Sequence, residues 1–379
     1  MTALREVTRR LLERLRPDDV PEAIGDAPVV APSTADEAAE VLRHAAEEGL
    51  TVGFVGAGTR LGLGGPLEPD LWVSSSRMAR VVDHQPADLT LTVEPGVTLG
   101  EIEELLGAHR QSAILPEGRP EETIGGVVAA GASGFRRLRY GPTRDRVLEV
   151  VLATGYGEVV RAGAPLVKNV TGYDLSRLVV GSLGSLGFVA RICLKLWPEP
   201  PVHATVPVTD PAAALAATYR PLAVLETREG GFVYLGGTEA QVGAQAAALG
   251  AGVRVGLAWP DRPTGPVPVE LRVPARALPE AVRTVRRLLP EAPFVAEHGV
   301  GVVHLAGPAD ADEEFRTLRR WAERAGGVVV RLGGYDVLSA SEFPPWGAPP
   351  PWAGLQRRVV AAFDPAGVLA PGKLPGGLR

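Results

Sequence analysis

The feature that most constrains this chain is a glycine-rich loop that directly follows a short apolar run. Residues 53–65 read GFVGAGTRLGLGG. Thr51 to Val55 predicts a β-strand, and Ser33 to Glu48 predicts a preceding helix that ends at Gly49. Glycine allows the backbone to turn tightly and to bring several N–H groups close to an anion. A loop of this kind at the carboxyl end of a strand predicts a site for the pyrophosphate of a dinucleotide.

The spacing of the glycines alone does not decide which dinucleotide is bound. Gly56, Gly58 and Gly62 approach the GxGxxG fingerprint of nicotinamide-binding Rossmann domains, which requires a helix to start within the loop. Here the loop continues as LGGPLEP over 63–69, which cannot propagate a helix. The strand predicted at 71–73 also ends in serines instead of the acidic residue that binds a ribose. A Rossmann site is therefore the disfavoured alternative.

Two further glycine clusters follow, TIGGVVAAGASG at 123–134 and GSLGSLG at 181–187. The first predicts a helix of small residues that packs closely either on another helix or on a flat or anionic ligand. Between the clusters, Phe135 to Asp145 forms a basic segment, which is typical of a solvated surface but could also contact a phosphate or a partner. Three clusters exceed what one pyrophosphate needs. They indicate an extended dinucleotide that is contacted by several loops.

Composition excludes several classes of function. The chain has 39 basic and 44 acidic residues, so a general attraction to nucleic acid is not expected. Cys193 is the single cysteine, which excludes an internal disulfide and any Cys₄ zinc site or iron–sulfur cluster held by this chain alone, and no metal site is predicted. Residues 1–19 predict a surface helix and lack a signal-peptide core, and no apolar run has the length of a transmembrane helix. We expect a cytoplasmic protein.

Several stretches, in this order, resemble the FAD-binding domain of the vanillyl-alcohol-oxidase / p-cresol-methylhydroxylase (PCMH) flavoproteins. More narrowly, KNVTGYDLSRLVVGSLGSLG at 168–187 is similar to the smaller FAD-binding subunit of three-subunit bacterial glycolate oxidase. The matching stretches are GAGTRLG at 56–62, VEPGVTLGEI at 93–102, TIGGVVAAGASG at 123–134, RYGPTRD at 139–145, GYDLSRLVVGSLGSLGFV at 172–189 and FDPAGVLAPGKL at 363–374.

The resemblance implies an α+β fold with a two-subdomain PCMH-type FAD-binding domain at residues 1–200. A smaller α+β cap domain, a ferredoxin-like sandwich, would occupy 201–345, and a C-terminal segment at 346–379 would return to the FAD domain. Strands alternate with helices beyond the PEPP linker at 198–201, which independently predicts an α+β sandwich with helices on one sheet face. FAD would be bound non-covalently, because Thr59 stands where relatives can carry a tethering His and Cys193 lies in a predicted strand.

The resemblance also assigns cofactor-binding roles to residues of this chain. Main-chain N–H groups of the glycine loop would cradle the pyrophosphate, and the second cluster would close over it from the other subdomain. Two prolines and a glycine would line the flavin side, and the third cluster would flank the adenosine half. The cofactor-binding residues implied are Gly56, Ala57, Gly58, Thr59, Arg60 and Leu61 for the pyrophosphate; Thr123, Gly125 and Gly126 for the closing wall; Pro95, Pro116 and Gly118 for the flavin; Gly184, Gly187, Phe188 and Val189 for the adenosine; and Gly134, Tyr140 and Asp145 in the neighbouring loops.

The function implied is oxidation of glycolate or a similar (R)-2-hydroxy acid, with hydride transfer to flavin N5 and proton transfer to a base. Related 2-hydroxy-acid dehydrogenases carry a motif HxGDGNxH in the cap domain. Here residues 297–304 read EHGVGVVH, which keeps His304 but places Glu297 at the first His and Val302 at the Asn. We predict His304 or His298 as the base, although both could equally be structural. An arginine among residues 136, 137 and 139 would bind the carboxylate.

The same resemblance implies partners. A larger flavoprotein subunit and an iron–sulfur subunit would complete a glycolate oxidase complex, with a peripheral position at the inner membrane through those partners. The alternative is a non-catalytic chain, in which FAD serves structure or electron relay and the larger subunit oxidises the substrate.

Overall fold

The computed structural model describes residues 6–16, 23–166, 174–250, 252–333 and 343–377. The predicted KNVTGY segment at 168–173 lies outside these ranges. The helices are α1 Glu6–Arg14, α2 Ala35–Glu48, α3 Leu99–Gly107, α4 Ile124–Ala130, α5 Arg137–Tyr140, α6 Leu175–Val179, α7 Pro211–Ala217, α8 Glu239–Leu249, α9 Leu278–Leu288, α10 Asp312–Arg324 and α11 Ala353–Phe363.

Three main sheets are built from the strands, and a short fourth pair, β7 with β11, joins the N-terminal half to the linker. The strands are β1 Ala23–Ile24, β2 Ala27–Val30, β3 Val52–Val55, β4 Leu71–Ser74, β5 Val81–Gln85, β6 Thr90–Val93, β7 Gln111–Ser112, β8 Val147–Ala153, β9 Val159–Gly163, β10 Phe188–Lys195, β11 Trp197–Pro198, β12 Val202–Val208, β13 Ala223–Glu226, β14 Gly231–Gly237, β15 Arg254–Val255, β16 Val267–Arg272, β17 Phe294–Glu297, β18 Val302–Gly307 and β19 Val328–Arg331.

The N-terminal half contains two sheets that share a helix. The first sheet has the order β1-β2-β4-β3, in which β2, β4 and β3 are parallel. The second is antiparallel, with the order β5-β6-β10-β8-β9. Helix α2 begins at the Thr34 cap and ends at Gly49, and its Val41 and Leu42 are buried in a core that also contains Ala153 and Phe188 of the second sheet. The glycine loop between β3 and β4 contains no helix, which removes the Rossmann alternative.

The C-terminal half is organised on an eight-stranded antiparallel sheet with the order β15-β12-β14-β13-β17-β18-β16-β19. Alternate residues of its strands point to opposite faces. One face packs against α7, α8, α9 and α10, with Val206, Val269 and Val303 in its cores. The mixed helix and strand content and the layered sheets confirm the predicted α+β class. The other face carries Glu270 and His304, which are direct cross-strand partners on β16 and β18.

The C-terminal segment returns to the first sheet. The Val52 N–H donates to Val368 O at 2.8 Å, and the Ala370 N–H donates to Val52 O at 2.8 Å. Residues 364–374 therefore lie beside β3, at the start of the glycine loop. Within the described residues, no helix is both long enough and apolar enough to cross a bilayer. The predicted domain limits at 200 and 345 stay predictions.

Candidate cofactor and substrate site

The glycine loop forms the wall of a cavity between the two N-terminal sheets, which we call the loop cavity. The N-terminus of α4 and residues of the third cluster form its other walls, together with the C-terminal segment. Nine of the predicted cofactor-binding residues line it: Gly56, Ala57, Gly58, Thr59, Arg60, Leu61, Thr123, Gly126 and Gly184. The structure thus brings together residues from all three glycine clusters, the first and last of which lie more than a hundred positions apart in the chain.

Close backbone approach explains why glycine occupies the start of the loop. A Cβ at Gly56 would lie 2.1 Å from Thr123 Oγ1, and Thr123 caps α4 by accepting from the Gly126 N–H at 3.4 Å. A Cβ at Gly184 would lie 2.5 Å from the ring of Phe54. Any side chain at these positions would separate the loop from its two opposing walls. The cavity therefore depends on the absence of side chains at these positions.

The remaining predicted cofactor residues lie around the loop cavity without lining it. Pro95 accepts from the Gly125 N–H at 2.9 Å, which fixes α4 from behind. Tyr140 packs against Trp197, and exposed Asp145 pairs with Arg177 at 3.6 Å. The predicted cofactor-binding residues that line neither of the two cavities described in this section are Pro95, Pro116, Gly118, Gly125, Gly134, Tyr140, Asp145, Gly187, Phe188 and Val189.

A second cavity of about 490 Å³ adjoins the first and is called the sheet cavity. Thr59, Arg60, Leu63 and Ala130 line both cavities, so the two are continuous. Its opposite wall is the helix-free face of the eight-stranded sheet, which contributes Arg262, Glu270, Arg272 and His304 among others. A volume of this size is typical of a pocket for a small molecule or part of a cofactor.

A buried charged network lies on that face of the sheet. Glu297 is 1% exposed and accepts from Arg137 Nη2 at 3.0 Å and from His304 Nε2 at 2.7 Å. Glu270 lies 3.2 Å from His304 Nδ1 and also pairs with Arg272. Burial alone would raise the pKa of each carboxyl, but the nearby cationic groups, chiefly Arg272 for Glu270 and Arg137 for Glu297, outweigh it and lower both pKa values.

His304 lies between two buried carboxylates. Its Nδ1 lies 3.2 Å from Glu270 Oε2, and its Nε2 lies 2.7 Å from Glu297 Oε1. Arg262 Nη1 lies 3.2 Å from Nδ1 and 3.1 Å from Nε2. Such equal distances place it over the face of the ring, because an in-plane donor to one nitrogen would be much farther from the other. Both ring nitrogens of His304 are therefore engaged by neighbouring side chains.

The second predicted histidine lies elsewhere. His298 is in the turn after β17, and its Nε2 contacts Glu226 Oε2 at 2.9 Å, beside Arg286. It does not line the sheet cavity. His304 lies on β18 and lines the sheet cavity, whereas His298 lies in a turn outside it. The sequence alone gave no reason to distinguish these two histidines.

The predicted carboxylate-binding arginines are all engaged in other contacts. Arg136 pairs with Glu117 and Glu199, Arg137 pairs with Glu297, and Arg139 donates to the carbonyl of Arg220. Arg262, which sequence reasoning missed, lines the sheet cavity, donates to Ser133 O at 3.0 Å and forms no ion pair with a described carboxylate. No sequence signal marks Arg262, because it lies in an irregular segment before β16.

The network predicts how stability responds to acid. Glu270 and Glu297 have lower pKa values in the folded chain than the usual 4.5, so their contribution to stability is complete above that value and is lost as the pH falls through the folded values. We expect the free energy of unfolding, measured by urea titration, to fall steeply below about pH 4.5. A profile that stays flat down to about pH 3 would contradict the ionised state of the pair.

Comparisons with known proteins agree with this geometry. Residues 27–163 match the FAD-binding-domain family. Glycolate oxidase subunit GlcE of Escherichia coli strain K12 is 30% identical over 318 residues, with 78% of this chain and 84% of that protein covered. Glycolate oxidase subunit GlcD of Bacillus subtilis strain 168 is 39% identical over 183 residues, covering 47% of this chain. The chain spans 38–42% of the length of GlcD and of several other relatives.

The fold agrees as well. A solved structure of alkyldihydroxyacetonephosphate synthase superposes with a TM-score of 0.63 at 14% identity, covering 91% of this chain and 76% of that one. Together with the family match, the fold and the loop cavity define an FAD-binding domain. The chain belongs to the family of FAD-linked oxidoreductases that includes the glycolate oxidase subunits. FAD as cofactor, the oxidoreductase class and the resemblance to this family are confirmed.

The residues present fit an anionic dinucleotide. Arg60 pairs through Nη2 with buried Glu122 at 2.6 Å, but its Nε is buried and has no hydrogen-bond partner within the described part of the chain. Arg60 lines both cavities beside the backbone of the glycine loop. Its free Nε–H is a charge-assisted donor that fits an oxygen of a pyrophosphate.

Proposed function

We propose that this chain is the FAD-binding subunit of a complex that oxidises a small 2-hydroxy acid such as glycolate. The observation that carries the proposal is Arg262, a guanidinium without a carboxylate partner among the described residues, in a cavity continuous with the FAD loop. A planar guanidinium is suited to bind a carboxylate through two hydrogen bonds. The relatives named glycolate oxidase subunits support the substrate class.

In this proposal FAD, when bound, supplies the two-electron acceptor for the reaction. Arg262 binds and orients the substrate carboxylate. His304, held between Glu270 and Glu297, is part of the same wall. Phe135 packs against both residues. The guanidinium carbon of Arg262 lies 4.6 Å from its ring centroid, and the imidazole centroid of His304 lies 6.0 Å from it.

The partners and location follow from the proposal. The single cysteine cannot hold an iron–sulfur cluster, so electrons would leave through a larger flavoprotein subunit and an iron–sulfur subunit. The names of the relatives as subunits support a multi-subunit assembly. We place the chain in the cytoplasm, with contact to the inner membrane made by its partners, and with FAD held non-covalently.

A specific observation favours a second candidate function. Oxidation of a hydroxyl requires a group that accepts its proton, and in the sheet cavity the best placed groups are His304 and Glu270. Both are already engaged, His304 through both ring nitrogens and Glu270 through its contacts with Arg272 and His304. A chain with this wall could instead relay electrons through FAD while the larger subunit oxidises the substrate.

Anaerobic reduction of the flavin distinguishes the two functions. The FAD-loaded chain alone would be mixed with glycolate or D-lactate, and the loss of flavin absorption followed by stopped flow. Bleaching of the flavin supports oxidation by this chain. Bleaching that occurs only after the purified partner subunits are added indicates a relay, and no bleaching in either case contradicts both functions.

Replacement of Arg262 tests the carboxylate site. We expect Arg262→Met to raise the KM for the hydroxy acid by about 10- to 100-fold, because the substrate loses one charge-assisted hydrogen-bonding partner. The affinity for FAD should stay unchanged. Arg276→Met, at an exposed position outside both cavities, is the matched control. An unchanged KM in the Arg262 variant would remove this residue from the substrate site.

A further inference from the structure

Lys373 is a buried cation that lines the loop cavity. The sequence resemblance gave this residue no role. Its residue surface is only 7% exposed, and it lines the cavity together with the glycine loop. The chain has only three lysines, against 36 arginines, so a lysine at a buried position is uncommon here. It lies in the C-terminal segment, 312 positions from the loop residue that it contacts.

Lys373 holds the backbone of the glycine loop. Its Nζ donates to Leu61 O at 2.5 Å and to Leu63 O at 3.0 Å. The main chain is joined there too, since the Gly65 N–H donates to Lys373 O at 3.2 Å. The Trp346 indole N–H also donates to Lys373 O, at 2.9 Å. The ammonium therefore lies at a fixed position under the loop.

The charge of Lys373 has no counter-ion. Within the described ranges, no carboxylate lies within ion-pair distance of Nζ, and Arg60, the other charged residue that lines the loop cavity, has the same sign. Burial lowers the pKa of Lys373 to about 8. A buried charge is costly unless a partner of opposite charge is nearby. Two of the three N–H donors are used by the loop carbonyls, which leaves one for a ligand.

We propose that Lys373 binds the pyrophosphate of FAD directly and is its principal counter-charge from the C-terminal segment. Through this contact the C-terminal segment would hold the cofactor together with the glycine loop. A phosphate oxygen accepts the third N–H of the ammonium and neutralises its charge. The inference rests on FAD binding and is independent of which substrate reduces the flavin.

The test measures FAD affinity of the apo chain by quenching of flavin fluorescence. Lys373→Met should weaken FAD binding by about 10- to 100-fold, whereas Lys373→Arg, which keeps a positive charge, should recover most of it. Lys195→Met is the matched control, because Lys195 lies over the Trp197 ring, away from the loop cavity, and should bind FAD as the wild type does. Circular dichroism of each apo variant confirms that it is folded. Unchanged affinity in folded Lys373→Met would overturn the proposal.

A measurement on the wild type keeps the proposal testable if Lys373→Met does not fold. The phosphate contact requires Lys373 to be protonated. At a pH above the pKa of about 8 that Lys373 has in the apo chain, FAD binding must therefore be accompanied by proton uptake. We expect FAD affinity to be constant below that pH and to fall by up to about tenfold per unit above it. In Lys373→Arg this dependence should disappear. A wild-type affinity that is constant up to about pH 9.5 would refute the proposed contact.

Discussion

We expect Gly56→Ala to abolish useful FAD binding. The new Cβ would lie 2.1 Å from Thr123 Oγ1, closer than real contacts come. Either the Thr123 side chain must leave its capping position on α4, or the loop and the N-terminus of α4 must separate. Either change would alter the two walls that line the loop cavity. We expect FAD affinity to fall at least about 100-fold, or about 2.7 kcal/mol, in a titration of the apo chain followed by flavin fluorescence.

Two further variants show whether the loss comes from this contact. Gly107→Ala adds a methyl group at the end of α3 where no atom lies within 4 Å, and it should bind FAD as the wild type does. The double variant Gly56→Ala with Thr123→Ala removes the hydroxyl that the new Cβ would meet, and should recover part of the affinity. If the double variant binds FAD more weakly than Gly56→Ala alone, the steric explanation is wrong.

Glu297→Gln is expected to produce the largest loss of stability. Glu297 joins α5 of the N-terminal half to the eight-stranded sheet through Arg137. The amide would leave Arg137 without its carboxylate partner and remove one of the two carboxylates beside His304. Removal of one partner from a buried ion pair typically costs about 3–5 kcal/mol. Urea unfolding followed by tryptophan fluorescence would measure this as a lower midpoint.

The control for this variant is an exposed pair of the same chemistry. Glu280 pairs with Arg283 on α9, and their side chains are 52% and 68% exposed. Glu280→Gln should therefore change the free energy of unfolding by no more than about 0.5 kcal/mol. Equal effects of the two substitutions would show that the Arg137–Glu297–His304 network does not join the two halves.

Local rules account for much of the fold. The bounds of α8, Glu239–Leu249, follow from neighbouring residues, because Thr238 and Gln241 form a capping box and Gly250 ends the helix in a left-handed conformation. The glycine loop was likewise predicted to lack a helix from its own residues. In both cases the determining contacts lie within a few positions of one another along the chain.

The site could be predicted only in part, because its main contacts join distant residues. Glu270 and His304 become neighbours only through the pairing of β16 with β18, which periodicity does not specify. Lys373 meets the loop from the far end of the chain, and Arg262 approaches the sheet cavity from an irregular segment. The sequence motif around 297–304 contains one residue of the sheet cavity, His304, and only the geometry distinguishes it from His298.

The most direct test of the account is an FAD titration of the purified apo chain, followed by acid precipitation of the complex. The account predicts saturable binding of one FAD per chain, with the flavin released into the supernatant when the protein is precipitated. A chain that binds no FAD, or a flavin that stays with the precipitated protein, would contradict a non-covalent cofactor site at the glycine loop.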